Sequence, residues 1–368
     1  MNQTLVRLPV LLPAIMFSAV TALPAFAHND DRDSHGHHPP AYANEVLVSD
    51  GSIAAAFTDP NLVNGWGVVF NPTGFVWVSA ADTGKSTLYD GTGKPQALVV
   101  TVPGANGEMG NPTGIVFSGG ADFVVTNGVT NGPARFLFAT ENGTIAGWAP
   151  NVNATNAFKA VDSTAGAASY KGLAISGNGA THLLYATDFH NARVDVFDGT
   201  FKPVSIAGAF QDPYLPKGYA PFGIQAINGD IYVTFAKQDS EAEEELTGPG
   251  LGFVSVFDAD GTFLRRLASR GALNAPWGIA LAPASFGEFG GALLIGNFGD
   301  GAINAYGPRS GIYLGTLRGA DKRRLHIDGL WGMAFGNGIQ AQKTNALFYA
   351  AGPNDESGGA YGVITAVK

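Results

Sequence analysis

The chain has 368 residues, of which 45% are hydrophobic and 14% charged, with a formal net charge of −9 and no cysteine. The acidic balance excludes the overall basic stripe that nucleic-acid binding requires. The lack of cysteine excludes disulfides, thiolate metal sites and a cysteine nucleophile. Glycine (51) and proline (21) together make up about a fifth of the chain, which is typical of a protein with many turns.

Residues 1–27 have the pattern of a secretory signal peptide. Arg7 supplies a positive charge, residues 8–23 are mostly apolar, and Ala25-Phe26-Ala27 is a small-x-small cleavage site. The apolar stretch is interrupted by two prolines and is shorter than the ~20 residues of a membrane-spanning helix. We therefore expect cleavage after Ala27, a periplasmic or secreted protein, and no transmembrane segment after cleavage.

Residues 28–44 are predicted to be a flexible segment, because they offer few apolar side chains to bury. The segment is rich in aspartate and histidine, and its histidines are His28, His35, His37 and His38. Imidazoles and carboxylates are suitable ligands for Cu²⁺ or Zn²⁺, and cleavage would add the free amine of His28. Two interpretations stay open: a solvated linker, or a segment that scavenges metal ions.

One unit is repeated six times in residues 45–368. Each copy contains a glycine followed by apolar residues, in the segments NGWGVVF, NPTGIVF, SYKGLAI, APFGIQA, APWGIAL and GLWGMAF. The anchor glycines recur 47 to 58 residues apart, at Gly67, Gly114, Gly172, Gly223, Gly278 and Gly332. Further short strands are predicted after each glycine, with second strands at FVWVSA, DFVVTN, LLYATD, IYVTFA, LLIGNF and LFYAAG, and a fourth strand of unit three at PVSIAGAF.

Short strands at this period, without helical periodicity, predict an all-β, six-bladed β-propeller that forms a single domain. The last unit lacks a fourth strand, and Glu45–Ser49 is expected to supply it, which closes the ring and covers an exposed edge. We expect the anchor glycines to let neighbouring inner strands approach closely at the axis. The aromatic residues beside them are interpreted as packing between blades, with a ligand platform as the alternative: Trp66, Phe222, Trp277 and Trp331.

A propeller places two sets of loops on one face, called here the mouth face: those that enter the first strand of each blade and those that join the second strand to the third. Asp or Asn occurs in nearly all of these loops. Oxygen-rich rings suit Ca²⁺, whereas ordinary turns favour the same residue types. The candidate ligands at the mouth are Asp82, Asn127, Asp188, Asn297 and Asn354.

Asp188, His190 and His326 are the candidate catalytic residues. A cation at the mouth would activate a water nucleophile, and Asp188 or His190 would act as the base. The long loop of blade four carries an acidic run, which is solvated surface, a flexible lid, or a segment that attracts a cationic partner: Asp239, Glu241, Glu243, Glu244 and Glu245.

The third-strand segments RVDVFDG and FVSVFDADG resemble the repeats of NHL-type six-bladed propellers. Longer stretches such as LLIGNFGDGAINAY and IDGLWGMAFGNG resemble an uncharacterised family of secreted bacterial proteins, some with a PEP-CTERM sorting tail, over Val46–Lys368. The final ITAVK does not resemble that tail, so sorting by that route is not expected. More broadly, the repeat pattern resembles that of calcium-dependent lactonases of the gluconolactonase type. That resemblance implies a Glu in the first inner strand, where this chain has Asn64-Gly65-Trp66-Gly67.

Two functional hypotheses follow. The first is a binding or surface-interaction module that holds a small molecule or an extracellular protein or glycan. The alternative is a divalent-metal-dependent hydrolase or lyase of the lactonase-like type. No binding of nucleic acid is expected under either hypothesis.

Overall fold

Six antiparallel sheets follow one another around a common axis in the computed structural model, which describes residues 41–177 and 182–367. The first strand of each sheet contacts the first strand of the next, and the last contacts the first, so the ring is closed. The predicted six-bladed β-propeller is confirmed. The predicted signal peptide and residues 28–40, which include His28, His35, His37 and His38, lie outside the described residues.

The strands of each blade run from the axis outwards in the order inner, second, third and outer. Blade one consists of Gly65–Phe70, Val76–Ala80, Lys85–Tyr89 and Pro95–Thr101. Blade two consists of Pro112–Phe117, Phe136–Thr140, Thr144–Trp148 and Phe158–Asp162. Blade three has three strands, Tyr170–Gly177, His182–Asp188 and Arg193–Asp198.

Blade four consists of Tyr219–Ile227, Asp230–Gln238, Phe253–Phe257 and Phe263–Ser269, and the short strand Glu245–Leu246 pairs with the second of these. Blade five consists of Pro276–Leu281, Leu293–Asn297, Ile303–Tyr306 and Tyr313–Thr316. Blade six consists of Leu330–Phe335, Ala346–Ala351, Ala360–Val367 and the N-terminal strand Ala41–Ser49, with Phe57–Thr58 beside it. The helical elements in the described part of the chain are single 3₁₀ turns, Ala81–Thr83, Ala105–Gly107, Thr164–Gly166 and Gly287–Phe289. No helix there is long and apolar enough to cross a membrane.

Two predicted strands are wrong. The segment DFVVTN is not the second strand of blade two; it forms a separate hairpin, Val124–Thr126 with Asn131–Pro133, and the second strand is Phe136–Thr140. Both segments are short and apolar, so composition alone does not tell them apart. In blade three, PVSIAGAF forms no regular outer strand and contributes only an isolated bridge between Phe197 and Pro203.

The N-terminal strand closes the ring by pairing antiparallel with Ala360–Val367, as predicted. It begins at Ala41, four residues before the predicted start at Glu45. Tyr42 explains the extension, because its side chain is buried and lies parallel to the ring of Phe289 with centroids 6.0 Å apart. Its hydroxyl also donates a hydrogen bond to the carbonyl of Phe286 at 3.1 Å.

The anchor glycines lie where neighbouring inner strands come closest. A Cβ on Gly67 would lie 2.6 Å from the carbonyl oxygen of Thr113 in the next blade, and one on Gly278 would lie 2.7 Å from that of Trp331. The other anchor glycines likewise face the backbone of the next inner strand, in the pairs Gly114–Leu173, Gly172–Phe222, Gly223–Trp277 and Gly332–Trp66. The close approach expected from the repeat is therefore present around the ring.

Aromatic side chains close the axis between its two ends. Trp66 and Trp331 are fully buried and stacked, with ring centroids 3.5 Å apart. Phe222 of blade four and Trp277 of blade five reach the same cluster, at 5.6 and 5.9 Å from Trp331. Rings from such widely separated blades can meet only on the axis, so this aromatic layer is a core that joins the blades.

We expect Gly278→Ala to lower the free energy of unfolding by about 1–3 kcal/mol, because the added methyl group overlaps a backbone carbonyl that cannot rotate away. Gly166→Ala is the matched control, since a Cβ there meets no atom within 4 Å. Urea unfolding of both variants measures the difference. Equal stability of the two variants would contradict the role assigned to the anchor glycines.

Candidate functional site

The mouth face carries a cluster of charged side chains from five of the six blades. Its members, called here the mouth cluster, are Asp82, Glu141, Lys171, Glu244, Glu245 and Glu356. Lys171 is the single cation of the cluster, and it belongs to the inner strand of blade three. The other members are carboxylic acids in loops or short segments of blades one, two, four and six.

Lys171 is 1% exposed, and its ammonium group lies between carboxylates of two other blades. Its Nζ donates to Glu141 of blade two and lies 3.4 Å from Oε2 of Glu244 in blade four. The ring of Trp66 lies 5.4 Å from the same nitrogen. Burial would lower the pKa of Lys171, but the carboxylates of Glu141, Glu245 and Glu244 outweigh it and raise the pKa above its ordinary value. The amine therefore stays protonated and is neither a base nor a nucleophile.

Glu245 is brought to the mouth because the acidic loop of blade four folds back on its own blade. The short strand Glu245–Leu246 pairs with residues 237 and 238 at the end of the second strand. Oε2 of Glu245 is buried and has no hydrogen-bond partner among the described residues. Burial raises the pKa of Glu245 to about 8, although the charge of Lys171 opposes this shift. Glu245 is therefore largely protonated at neutral pH.

Glu356 is held at the mouth by a left-handed turn. Asn354, Asp355 and Glu356 have φ angles of 59°, 51° and 63°, and consecutive positive φ values in non-glycine residues are strained and cluster at functional sites. The turn brings Oε2 of Glu356 within 2.7 Å of Nδ2 of Asn64. Burial raises the pKa of Glu356 to about 7, and the charges of Glu141 and Glu244 contribute in the same direction.

A cavity of about 500 Å³ opens beside the mouth cluster, between blades two and three and the acidic loop. Its charged lining consists of Glu141, Glu243 and Glu244 with Lys171, and His190 forms part of the wall. Three carboxylates against one ammonium leave the lining with a negative charge. The volume is in the range of pockets that hold small ligands.

The structure places Asp188 at the end of the second strand of blade three, and its side chain does not line the cavity. Its side chain is fully buried, and Oδ1 accepts a hydrogen bond from the backbone N–H of Ser169 at 3.2 Å. Oδ2 accepts from Nδ2 of Asn191 at 2.7 Å and lies 3.2 Å from the guanidinium of Arg193. Both oxygens are thus used within blade three, although burial still raises the pKa of the group.

The two candidate catalytic histidines have different surroundings. His190 lines the mouth cavity. His326 is exposed, and its Nδ1 lies 3.0 Å from the carbonyl oxygen of Asp300 in blade five.

Within residues 41–177 and 182–367, no three His, Asp or Glu side chains are grouped so that they could hold a metal ion. Calcium binding at the mouth therefore stays a prediction.

Asn127 is not on the mouth face, which corrects the prediction for this residue. It lies in the turn of the extra hairpin, beyond the end of the inner strand, and its Nδ2 donates to the carbonyl of Val152 at 3.0 Å. The loop that joins the second and third strands of blade two instead contains Glu141. Because the second strand of blade two was predicted at the wrong segment, Asn127 was assigned to the mouth loop that Glu141 occupies.

The remaining predicted ligands lie on the mouth face. Asp82 is exposed and accepts a hydrogen bond from Asn64 at 3.4 Å. Asn297 is buried, and its Nδ2 donates to Asp300 and to the carbonyl of residue 272. Asn354 is exposed and begins the left-handed turn. Sequence reasoning missed Glu141, Lys171 and Glu356, of which Lys171 had a visible signal: it is the only charged residue directly before an anchor glycine.

The fold and the site together define a six-bladed β-propeller with a charged mouth. Proteins with similar sequences align with most of the chain. No protein-family model matches the sequence. The chain is 33% identical over 326 residues to the uncharacterized protein R648 of Acanthamoeba polyphaga mimivirus. The alignment covers 86% of this chain and 78% of that protein. Protein L690 of the same virus is 34% identical over 295 residues, with 78% and 77% covered. The chain belongs to the family of these mimivirus proteins.

Solved structures show the same fold at low sequence identity. A Bacteroides thetaiotaomicron protein of unknown function is 13% identical with a TM-score of 0.57, over 89% of this chain and 76% of that one. Virginiamycin B lyase from Staphylococcus aureus is 11% identical with a TM-score of 0.51, over 89% of this chain and all of that one. Both similarities concern the fold alone. Export from the cytoplasm and a relation to secreted bacterial proteins stay predictions.

We expect the protein to lose stability as pH rises from about 5 to 8. The folded-state pKa of Glu245 is raised from an ordinary value of 4.5 to about 8, so the folded state binds this proton more tightly than the unfolded state. The resulting stabilisation is complete below pH 4.5 and is lost as Glu245 ionises beside Glu244 and Glu356. Glu245→Gln removes this titration and should reduce the loss by on the order of 2 kcal/mol.

Urea unfolding at pH 5 and pH 8 measures the effect. Glu45→Gln is the control, because Glu45 is an exposed carboxylate on the outer strand of blade six. The control should keep the full pH dependence of the wild type. A Glu245→Gln protein with that same dependence would show that Glu245 is not buried as described.

Proposed function

We propose that the chain is a ligand-binding propeller that holds a small molecule with a cationic group at its mouth. The observation that carries this proposal is the cavity of about 500 Å³ whose charged lining is three carboxylates and one ammonium. Clefts lined by one sign of charge concentrate ligands of the opposite sign. A cationic ligand is therefore favoured over a neutral or anionic one.

Lys171 does not remove this preference, because it lies beneath the carboxylates it contacts. Its side chain is 2% exposed, whereas those of Glu141 and Glu244 are 28% and 68% exposed. Solvent-facing oxygens of Glu141 and Glu244 thus remain available to an ammonium or guanidinium group. Charge-assisted hydrogen bonds of this kind are stronger than neutral ones.

A hydrolase or lyase is the second candidate function, and the raised pKa values at the mouth favour it. Glu245 and Glu356, with pKa values of about 8 and 7, are close enough to influence each other. Strongly shifted carboxyl groups in one cleft are typical of general acids and bases. Glu356 would then transfer the proton, and a metal ion would be an additional requirement of the lactonase-like mechanism.

The matched pair benzylamine and benzyl alcohol tests the binding function by calorimetric titration at pH 7.5. The amine should bind and the alcohol should not, because only the amine offers a charge to Glu141 and Glu244. Glu141→Gln and Glu244→Gln should each weaken binding of the amine by about tenfold to a hundredfold. Glu45→Gln, outside the mouth, should leave it unchanged.

Calcium is titrated in parallel. Stoichiometric Ca²⁺ binding without amine binding would replace this proposal with the predicted cation site. Binding of the alcohol as tightly as the amine would overturn the role of charge. Turnover of a lactone or ester panel that Glu356→Gln abolishes would establish the enzyme instead.

Export to the periplasm or cell exterior is part of the proposal, on the strength of the pattern in residues 1–27. Expression of the full chain with a bacterial export system should yield a protein that begins at His28. Mass spectrometry of the exported fraction measures the N-terminus. Retention of Met1 to Ala27 in that fraction would contradict the proposal.

A further inference from the structure

The axis has a second pocket at the end opposite the mouth. This cavity of about 310 Å³, called here the far-end pocket, is lined by the later residues of the inner strands of all six blades. Each blade contributes the second residue after its anchor glycine, namely Val69, Val116, Ala174, Gln225, Ala280 and Ala334. The repeat thus builds a ring of small side chains with one departure, Gln225.

The aromatic layer separates the far-end pocket from the mouth. Trp66, Trp331 and Phe222 are at most 1% exposed and fill the axis between the two ends. The far-end pocket is therefore blind, and a molecule enters it only from the face opposite the mouth. Its occupant is independent of any ligand held by the mouth cluster.

The side chains of the far-end pocket carry no charge. Gln225 is the only polar side chain among them, and its amide makes a single long contact, 3.5 Å from Nε2 to the carbonyl oxygen of Ala226. The inner edges of the six strands are not paired with another strand, so they also present backbone N–H and C=O groups. A neutral molecule with an apolar body and one hydrogen-bonding group fits this chemistry, whereas an ion would be unpaired.

The volume limits the size of that molecule. An engineered apolar cavity of about 150 Å³ binds benzene, and about 30 Å³ is the share of one water molecule in the liquid. The far-end pocket therefore accommodates roughly ten non-hydrogen atoms. We propose that it binds a small neutral molecule of the size of a bicyclic aromatic alcohol, oriented by the side-chain amide of Gln225.

The probe is 2-naphthol, with naphthalene as its analogue without a hydroxyl group, and binding is followed by fluorescence titration. Ala334→Leu places three extra carbon atoms in the pocket and should weaken binding of both probes at least tenfold. Ala43→Leu makes the same change at an exposed position of the outer strand of blade six and should have no effect. Gln225→Leu should weaken 2-naphthol by about three- to tenfold and leave naphthalene unchanged.

Failure of 2-naphthol to bind, or equal binding to the wild type and Ala334→Leu, would overturn the proposal. Equal loss of both probes in Gln225→Leu would overturn the orienting role of the amide. Glu141→Gln, which alters the mouth, should keep the wild-type affinity for 2-naphthol. Competition between 2-naphthol and benzylamine would show that one site holds both and would also overturn the proposal.

Discussion

The close approach of the inner strands at the axis is the constraint on which the rest of the structure depends. Each anchor glycine faces the backbone of the next blade at a distance that leaves no room for a side chain, as at Gly67 and Gly278. The inner strands therefore converge on a narrow axis. The side chain directly before each anchor glycine lies in the aromatic layer or at the mouth. The side chain of the second residue after each anchor glycine lines the far-end pocket.

Burial of Lys171 follows from this arrangement, since it occupies a position that aromatic residues hold in four other blades. An unpaired ammonium at such a depth would be costly, and breaking a buried ion pair is strongly destabilising. The carboxylate of Glu141 from blade two and that of Glu244 from blade four supply the compensation. The acidic loop is consequently attached to the mouth, so the alternative of an entirely solvated acidic run does not describe Glu244 and Glu245.

The blades could be predicted from the sequence because the same backbone contacts require the same residue types in every repeat. A glycine at each close approach and alternating apolar strands are local features, and the closing strand follows from the count of strands. The second strand of blade two could not be predicted in the same way, because DFVVTN and FLFAT are both short segments with a run of apolar residues. That ambiguity also hid Glu141, whose position at the mouth depends on which segment forms the strand.

The mouth cluster depends on contacts between blades that a repeat does not encode. Glu356 reaches Asn64 across 292 residues of sequence, and its position requires a left-handed turn made without glycine. Spacing within one repeat contains no information on such a pair. The sequence indicates a turn at Asn354 and Asp355, but it does not indicate that this turn brings Glu356 to Asn64 of blade one.

The two departures from the repeat differ in how their polar groups are satisfied. Lys171 replaces an uncharged residue before an anchor glycine, and Gln225 replaces a small apolar residue two positions after another. Five blades have an uncharged residue at the first position, and five have Val or Ala at the second. The first position is buried at Lys171, so its charge must be satisfied by neighbouring blades, whereas the second position is exposed to solvent at Gln225. Lys171 is satisfied by carboxylates of two blades, whereas the exposed amide of Gln225 makes one long contact with the protein, so it can turn towards a molecule in the far-end pocket.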